Sequence, residues 1–162
     1  MLTLGLAGAD ALDARLGAFP SELLADLAVK AAALAGALAD KVRNDKLSGQ
    51  ILNAVSGGLR ASIVSEASVD ANQVVGSLGS AGDVKYAAIQ EYGGKTAAHE
   101  ILPSKANVLA FIAGGALHFA RRVEHPGSVI PERSYLRSSL EEMAGEIIEA
   151  LGQSPGDVWE RS

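Results

Sequence analysis

The chain has 162 residues, no cysteine and a formal net charge of −5, and 48% of its residues are hydrophobic although only 4% are aromatic. This length suits one domain with a sizeable core, and the composition requires a core built mainly from Ala, Leu, Val and Ile. The lack of cysteine excludes disulfide frameworks, thiolate nucleophiles and cysteine-based zinc sites.

The charge is distributed unevenly along the chain. Residues 1–83 carry six Lys and Arg against nine Asp and Glu, residues 84–137 carry seven against four, and residues 138–162 carry one against six. Sequence-independent DNA binding favours a concentrated basic face, which this distribution does not indicate. A basic middle between acidic ends is compatible with head-to-tail packing of identical copies. Ordinary solvated faces are the alternative explanation.

The N-terminal residues do not resemble a secretory signal, because they lack a basic region and reach Asp10 and Asp13 early. The most apolar run, Leu23 to Ala39, is interrupted by Asp26 and Lys30 and falls short of a membrane span. We therefore expect a soluble protein that is made in the cytoplasm and has no membrane partner.

Helical spacing dominates the first third of the chain. After an alternating, extended segment at residues 2–6, apolar residues at helical spacing lead to Pro20, which we interpret as a first-turn proline. The helix is expected to run to about Asp45 and to carry an apolar stripe of Leu23, Leu27, Ala31, Leu34, Leu38 and Val42. The stripe suits either a coiled-coil partner or a helix laid across a sheet, and the strand patterns that follow favour the sheet.

Alternating patterns and turn signals predict a small antiparallel sheet of about four or five strands. A turn at Asp70–Asn72 joins two of them, and Gly114 and Gly115 sit where a two-residue hairpin turn needs positive φ. The predicted strands are Leu59–Val69, Gln73–Leu78, Ala97–Leu102, Val108–Ile112 and Ala116–Val123. Covered by the long N-terminal helix, they predict an α+β fold.

Two short segments stand out, VKYAAIQEYGG at residues 84–94 and HPGSVIPERSYLRSSL at residues 125–140. The first predicts a short central helix, which Gly93 and Gly94 end where a left-handed residue is needed. The second predicts a rigid loop, fixed by its prolines, that leads into a C-terminal helix. Residues 1–153 are expected to form a single domain, and residues 154–162 a flexible tail.

The structural motif of the first segment consists of Tyr86, Ile89, Tyr92, Gly93 and Gly94. Truncating a buried aromatic side chain to alanine costs roughly 3–5 kcal/mol. We therefore expect Tyr86→Ala or Tyr92→Ala to harm folding or assembly more than any histidine substitution does.

No pattern in the sequence indicates a catalytic, cofactor-binding or metal site. The histidines, His99, His118 and His125, form neither a HExxH nor a HxH pair, and the chain has no GxSxG elbow and no phosphate-cradling glycine pattern. The glutamates of the last helix are typical of a solvated face. Surface or loop-stabilising roles are the simpler interpretation of the histidines, and His125 is expected to form a hydrogen bond within its own turn.

Arginine side chains are the remaining candidates for contact with another chain. Arg121 and Arg122 are expected on opposite faces of a strand, so at most one of them joins a given patch. Arg133 and Arg137, four residues apart at a helix start, can share a face that binds a carboxylate of another chain, and a solvated or intrachain role is the alternative. The interface candidates are Arg121, His125, Pro126, Arg133, Tyr135 and Arg137.

Six stretches follow one another in the order LSGQIL, SGGLRASI, VKYAAIQEYGG, ILPSKANVLAF, FARRVEHPGS and IPERSYLRSSL. With these, in register from about Val42 to Leu151, the chain resembles the neck, tail-completion and virion-morphogenesis tail-component family of long-tailed bacteriophages. The family often has Ala-Arg-Pro-Phe where residues 132–135 of this chain are Glu-Arg-Ser-Tyr. This departure keeps the arginine and an aromatic residue but loses the second proline.

The resemblance implies a structural protein of the virion neck or tail, with no catalytic activity and no cofactor. Such proteins have a small α+β fold and assemble as rings, typically sixfold, between the head-closing ring and the tail tube. The implied partners are further copies of the chain, the tail tube or tail terminator protein, and the head-closure protein. Genomic DNA would pass through the lumen without sequence-specific binding. A tail-assembly factor that does not enter the virion is the alternative, and a small hydrolase using His118 or His125 is a remote one.

Overall fold

The longest element is helix α1, Ala9–Lys41, which confirms the predicted long N-terminal helix. It begins before Pro20, so the interpretation of Pro20 as a first-turn proline is wrong. An interior proline removes one backbone hydrogen bond, but the turn around it gains packing because the Phe19 ring lies edge-on to Trp159 with 6.0 Å between the ring centroids. The extended segment predicted at residues 2–6 lies outside the described residues.

The structure is a computed structural model that describes residues 8–52, 57–82, 84–104 and 106–161. The chain divides into two compact units, which we call the helical unit (Met1–Ala87 with Ser134–Ser162) and the hairpin unit (Ala88–Arg133). The single domain predicted over residues 1–153 stays a prediction.

A β-hairpin packs across α1 in the helical unit. Strand β1, Ile63–Asp70, pairs antiparallel with strand β2, Gln73–Ser80, so the turn predicted at Asp70–Asn72 is confirmed. The start of the predicted first strand instead forms a single-turn helix, α2, Gly58–Ser62, because this turn buries Leu59 in the core. Helix α1 contacts both strands, which confirms that the long helix is laid across a sheet.

The core of the helical unit consists of small and aliphatic side chains around one tyrosine. Its members are Ala39, Val42, Leu47, Leu59, Ile63, Ala87 and Tyr135. Tyr135 is 1% exposed and is the largest of the fully buried side chains among the described residues. Its hydroxyl donates a hydrogen bond to the carbonyl oxygen of Ala87 at 3.3 Å, and the Ser139 hydroxyl donates to the carbonyl of Tyr135 at 2.8 Å. The expectation of a core rich in Ala, Leu, Val and Ile is confirmed.

After α1 the chain continues in a π-helical segment, Val42–Gln50, which carries a buried lysine. Lys46 is 3% exposed, and its Nζ lies 2.5 Å from Oε1 of Glu142, while Lys41 reaches the other oxygen of that carboxylate at 3.0 Å. Hydrogen bonds from Lys46 and then Lys41 lower the pKa of Glu142. This glutamate was expected on a solvated face and instead joins helix α4, Leu136–Gly152, to the π-helical segment.

Helix α4 confirms the predicted C-terminal helix, and a further helix, α5, Ser154–Arg161, follows it. The prediction of a flexible tail is therefore wrong for these residues. Helix α5 packs on α1, where Nζ of Lys30 lies 2.6 Å from Oδ2 of Asp157 and the Arg161 guanidinium pairs with Asp26. The sequence held a signal for this helix, since a serine followed by a proline is a typical helix start.

The hairpin unit is built from short antiparallel strand pairs after helix α3, Ala87–Tyr92, which confirms the predicted short central helix. The pairs are β3, Gly94–Lys95, with β8, Val129–Ile130; β4, His99–Ile101, with β7, Val123–His125; and β5, Leu109–Ala113, with β6, Ala116–Ala120. The α+β class is thus confirmed, but the expected single sheet is four separate two-stranded pairs within the described residues. Proline follows soon after β4 and β7, and it cannot donate to a strand ladder.

Replacing Asp26 with asparagine should remove a pH-dependent part of the stability. The hydrogen bond from Arg161 is the largest of the effects that lower the pKa of Asp26 from 3.8 to about 2. A carboxylate whose pKa is lowered by folding contributes stability above its unfolded pKa, and this contribution is lost as the pH falls through the folded value. The melting temperature of the wild type should therefore exceed that of Asp26→Asn above about pH 5, and the difference should shrink towards pH 2.

The control for this titration is Asp13→Asn, because Asp13 is exposed on the same helix. A difference between wild type and Asp26→Asn that stays constant from neutral pH to pH 2 would contradict the role given to the carboxylate.

Candidate functional site

The two segments singled out by the sequence meet in the hairpin unit. Strand β3 follows α3 directly and pairs with β8 in the loop before α4, so that Gly94 lies opposite Ile130. The amide of Arg133 also donates a hydrogen bond to the carbonyl of Gln90 at 2.9 Å. The end of the short helix and the proline-bounded arm therefore form one structural element, which the sequence could not show.

Glycines allow the backbone to approach closely at this junction. Gly93 has φ 69°, and a Cβ at this position would lie 2.7 Å from the amide nitrogen of Glu132. Gly127 has φ 86°, and a Cβ there would lie 2.1 Å from the carbonyl oxygen of Thr96. Both positions require a residue without a side chain, for conformational and steric reasons together.

The tyrosines of the structural motif are exposed, contrary to expectation. Tyr86 is 44% exposed and Tyr92 is 65% exposed, so neither is a core side chain of the single chain. Ile89 is partly buried and lies beside Gly94, since a Cβ on that glycine would come within 3.4 Å of its Cγ1. The motif therefore acts through its glycines and Ile89 inside the subunit, and its tyrosine side chains are exposed.

Two of the three histidines form a stacked pair. His99 and His125 lie opposite each other on β4 and β7, with 5.0 Å between their ring centroids. Nδ1 of His125 accepts a hydrogen bond from the amide of Gly127 at 3.0 Å, which confirms the hydrogen bond expected within this turn. His118 stacks instead on Phe111 in the β5–β6 hairpin. The described residues contain no group of three potential metal ligands.

The predicted interface residues do not share one environment. Arg121 and Pro126 are exposed in the hairpin unit, where Arg122 lies 3.3 Å from a carboxylate oxygen of Glu100. Helix α4 begins at Leu136, so Arg133 precedes it and the expected one-turn spacing between Arg133 and Arg137 does not arise.

Tyr135 and Arg137 differ in exposure in the helical unit. Tyr135 is buried in the core, so its side chain cannot reach a neighbouring chain and its prediction as an interface residue is wrong. Arg137 is exposed and lines a groove between α1 and α4.

This groove is a concave surface of the helical unit. It has a volume of about 530 Å³ and lies between α1, β2 and α4. Its polar lining side chains are Ser77 and Arg137, and Gly76 lets β2 approach α1 closely. The principal apolar residues of its walls are Leu27, Leu34, Leu38, Leu140, Ile147 and Leu151.

The β5–β6 hairpin carries an apolar surface that the sequence analysis missed. Residues paired across an antiparallel ribbon share a face, and alternate residues along a strand do too. Ala110, Ile112, Leu117 and Phe119 therefore form one face, which we call the hairpin face. Ile112 is 76% exposed, Leu117 is 60% exposed and Phe119 is 65% exposed. The sequence contains a signal for this apolar surface, because residues 108–120 include no Lys, Arg, Asp or Glu.

Comparison of the chain with models of protein families, with curated proteins and with solved structures gives no match. Among the described residues, no helix is long and apolar enough to cross a membrane.

Proposed function

We propose that this chain is a structural virion protein of a long-tailed bacteriophage. In this proposal it forms a ring in the neck, at the head–tail junction, where it completes the tail and joins it to the head-closure ring. The resemblance over residues 42–151 supports this proposal, and the exposed hairpin face is the observation that carries it.

The hairpin face is unusual for a protein that works alone. Antiparallel ribbons commonly have one polar face in contact with water. Here three large apolar side chains lie side by side, and each is at least 60% exposed. Contiguous exposed apolar surface is typical of a site that contacts another protein, a membrane or a ligand, and we take a protein partner here. A subunit of an assembly has such a partner.

The proposed partners are further copies of the chain, the tail tube or tail terminator protein, and the head-closure protein. A net charge of −5 suits a ring through which DNA passes without being held, because each phosphate contact with a basic side chain would add affinity.

Substitution of Ile112 by aspartate should weaken assembly without unfolding the chain. The side chain is 76% exposed, so the folded chain tolerates a charge there, whereas a charge buried at a subunit contact is strongly unfavourable. Light scattering should show a ring-sized oligomer for the wild type and self-association weakened about tenfold or more in Ile112→Asp.

The matched control is Val64→Asp, at a residue that is 46% exposed on β1 and lies on the opposite face of that strand from Ser65, whose cross-strand partner Leu78 lines the groove. This variant should assemble like the wild type. If Ile112→Asp and wild type associated equally, the hairpin face would not be an assembly surface.

A tail-assembly factor that stays outside the particle would use the same apolar surface. Mass spectrometry of purified virions separates the two roles. The chain should be present in stoichiometric amounts if it is a ring protein, and missing from virions but present in infected cells if it is an assembly factor.

A further inference from the structure

The apolar hairpin face of one unit has a matching surface in the other unit of the same sequence. The groove of the helical unit is walled by leucine and isoleucine side chains from α1 and α4. Its volume of about 530 Å³ is typical of protein pockets that bind a ligand, so the groove has room for several large side chains. The hairpin face presents the apolar side chains of Ile112, Leu117 and Phe119. Burial of such side chains against the apolar walls of the groove is favourable.

The charges of the two units favour contact between unlike surfaces of two copies. The helical unit contains nine Lys and Arg against fifteen Asp and Glu, whereas the hairpin unit contains five against four. Two helical units therefore repel each other, while a hairpin unit brings one net positive charge to an acidic partner. The hairpin carries no formal charge at residues 108–120, so it brings no ion of its own into the groove, whose lining includes the charged side chain of Arg137.

We infer that the hairpin face of one copy docks in the groove of the next copy. This inference rests on the proposed function and names the contact by which the ring would form. Such a contact joins two different surfaces, so after it forms one copy keeps a free groove and the other keeps a free hairpin for the next neighbours. Contacts of this kind close into a ring when the rotation between successive copies fits.

The cysteine-free chain allows a direct test by chemical cross-linking. Ile112→Cys places a thiol on the hairpin face, and Leu140→Cys places one on the groove wall, at a side chain that is 50% exposed. The double variant, treated with a short bis-maleimide reagent, should give a ladder of covalent dimers, trimers and larger species on a denaturing gel. A mixture of the two single variants should stop at dimers, because each copy then carries one reactive thiol.

Two controls make the result specific. Pairing Ile112→Cys with Val29→Cys, at a residue that is 71% exposed on α1 and does not line the groove, should give little cross-linking. Ile112→Cys alone should also give little, because hairpin faces do not meet each other in this arrangement.

Three outcomes would overturn the inference: dimers from Ile112→Cys alone, equal yields with Val29→Cys and Leu140→Cys, or a double variant linked only within single chains. If wild-type protein still formed rings by electron microscopy in any of these cases, the proposed function would stand and only the contact would be wrong. A wild-type chain that remains monomeric and is missing from virions would contradict the proposed function itself.

Discussion

Truncation of Tyr135 to alanine should lower the free energy of unfolding by about 3–5 kcal/mol. The side chain is 1% exposed and belongs to the core cluster with Val42 and Ile63, so its removal leaves a cavity between the π-helical segment, β1 and the start of α4. It also removes the donor to the carbonyl of Ala87. Urea unfolding followed by circular dichroism, at concentrations where the chain is monomeric, measures this loss.

Two further variants separate the contribution of the buried ring from that of the hydroxyl group, and a buried tyrosine from an exposed one. Tyr135→Phe keeps the ring and loses the hydroxyl, so it should cost about 1 kcal/mol. Tyr92→Ala should change stability by no more than about 0.5 kcal/mol, because that side chain is 65% exposed. Equal losses in Tyr92→Ala and Tyr135→Ala would contradict the placement of Tyr135 as the aromatic core residue.

Substitution of Gly127 by alanine should disrupt the junction between β3 and the loop that contains β8. A left-handed conformation costs a non-glycine residue about 1–2 kcal/mol. In addition, the new Cβ would lie 2.1 Å from the Thr96 carbonyl oxygen, and relief of such an overlap costs about a further 1–3 kcal/mol. Hydrogen exchange should show faster exchange of the Thr96 amide, which donates to the Ser128 carbonyl at 2.9 Å.

Gly114→Ala is the matched control in the same unit. Gly114 has φ 59°, but a Cβ there meets no atom within 4 Å, so only the conformational cost remains. Exchange at Thr96 should then stay at the wild-type rate. If both variants lost the same stability and left Thr96 protected, the close approach at Gly127 would have no energetic role.

The elements that were predicted correctly have strong local signals. The apolar stripe of α1 repeats over many turns, the glycine pair at 114–115 specifies its hairpin, and the C-terminal helix has a regular apolar side. These signals depend on residues near each other in sequence. For this reason the α+β class, the long helix and the β5–β6 hairpin follow from the sequence.

The errors concern contacts between residues distant in sequence. Tyr135 and Tyr92 are both aromatic residues at the ends of helices, and only tertiary packing makes one 1% and the other 65% exposed. Helix α5 is short, and its ion pairs with Asp26 and Lys30 join residues more than a hundred positions apart. Local patterns do not contain this information.

At the candidate site, too, local features could be predicted from the sequence and contacts between distant residues could not. Residues 84–94 and 125–140 stand out in the sequence, but their pairing through Gly94 and Ile130 could not be predicted. The hairpin face could have been predicted from an uncharged ribbon with two apolar sides. The groove could not, because its walls come from α1, β2 and α4, which are brought together only by folding.

An electron cryomicroscopy map of the neck of the intact virion is the decisive experiment for the proposed ring. We expect a closed ring of identical copies at the head–tail junction, with density for helix α1 and for the β5–β6 hairpin of each copy. A neck and tail fully accounted for by other proteins, with no density for this chain, would contradict it.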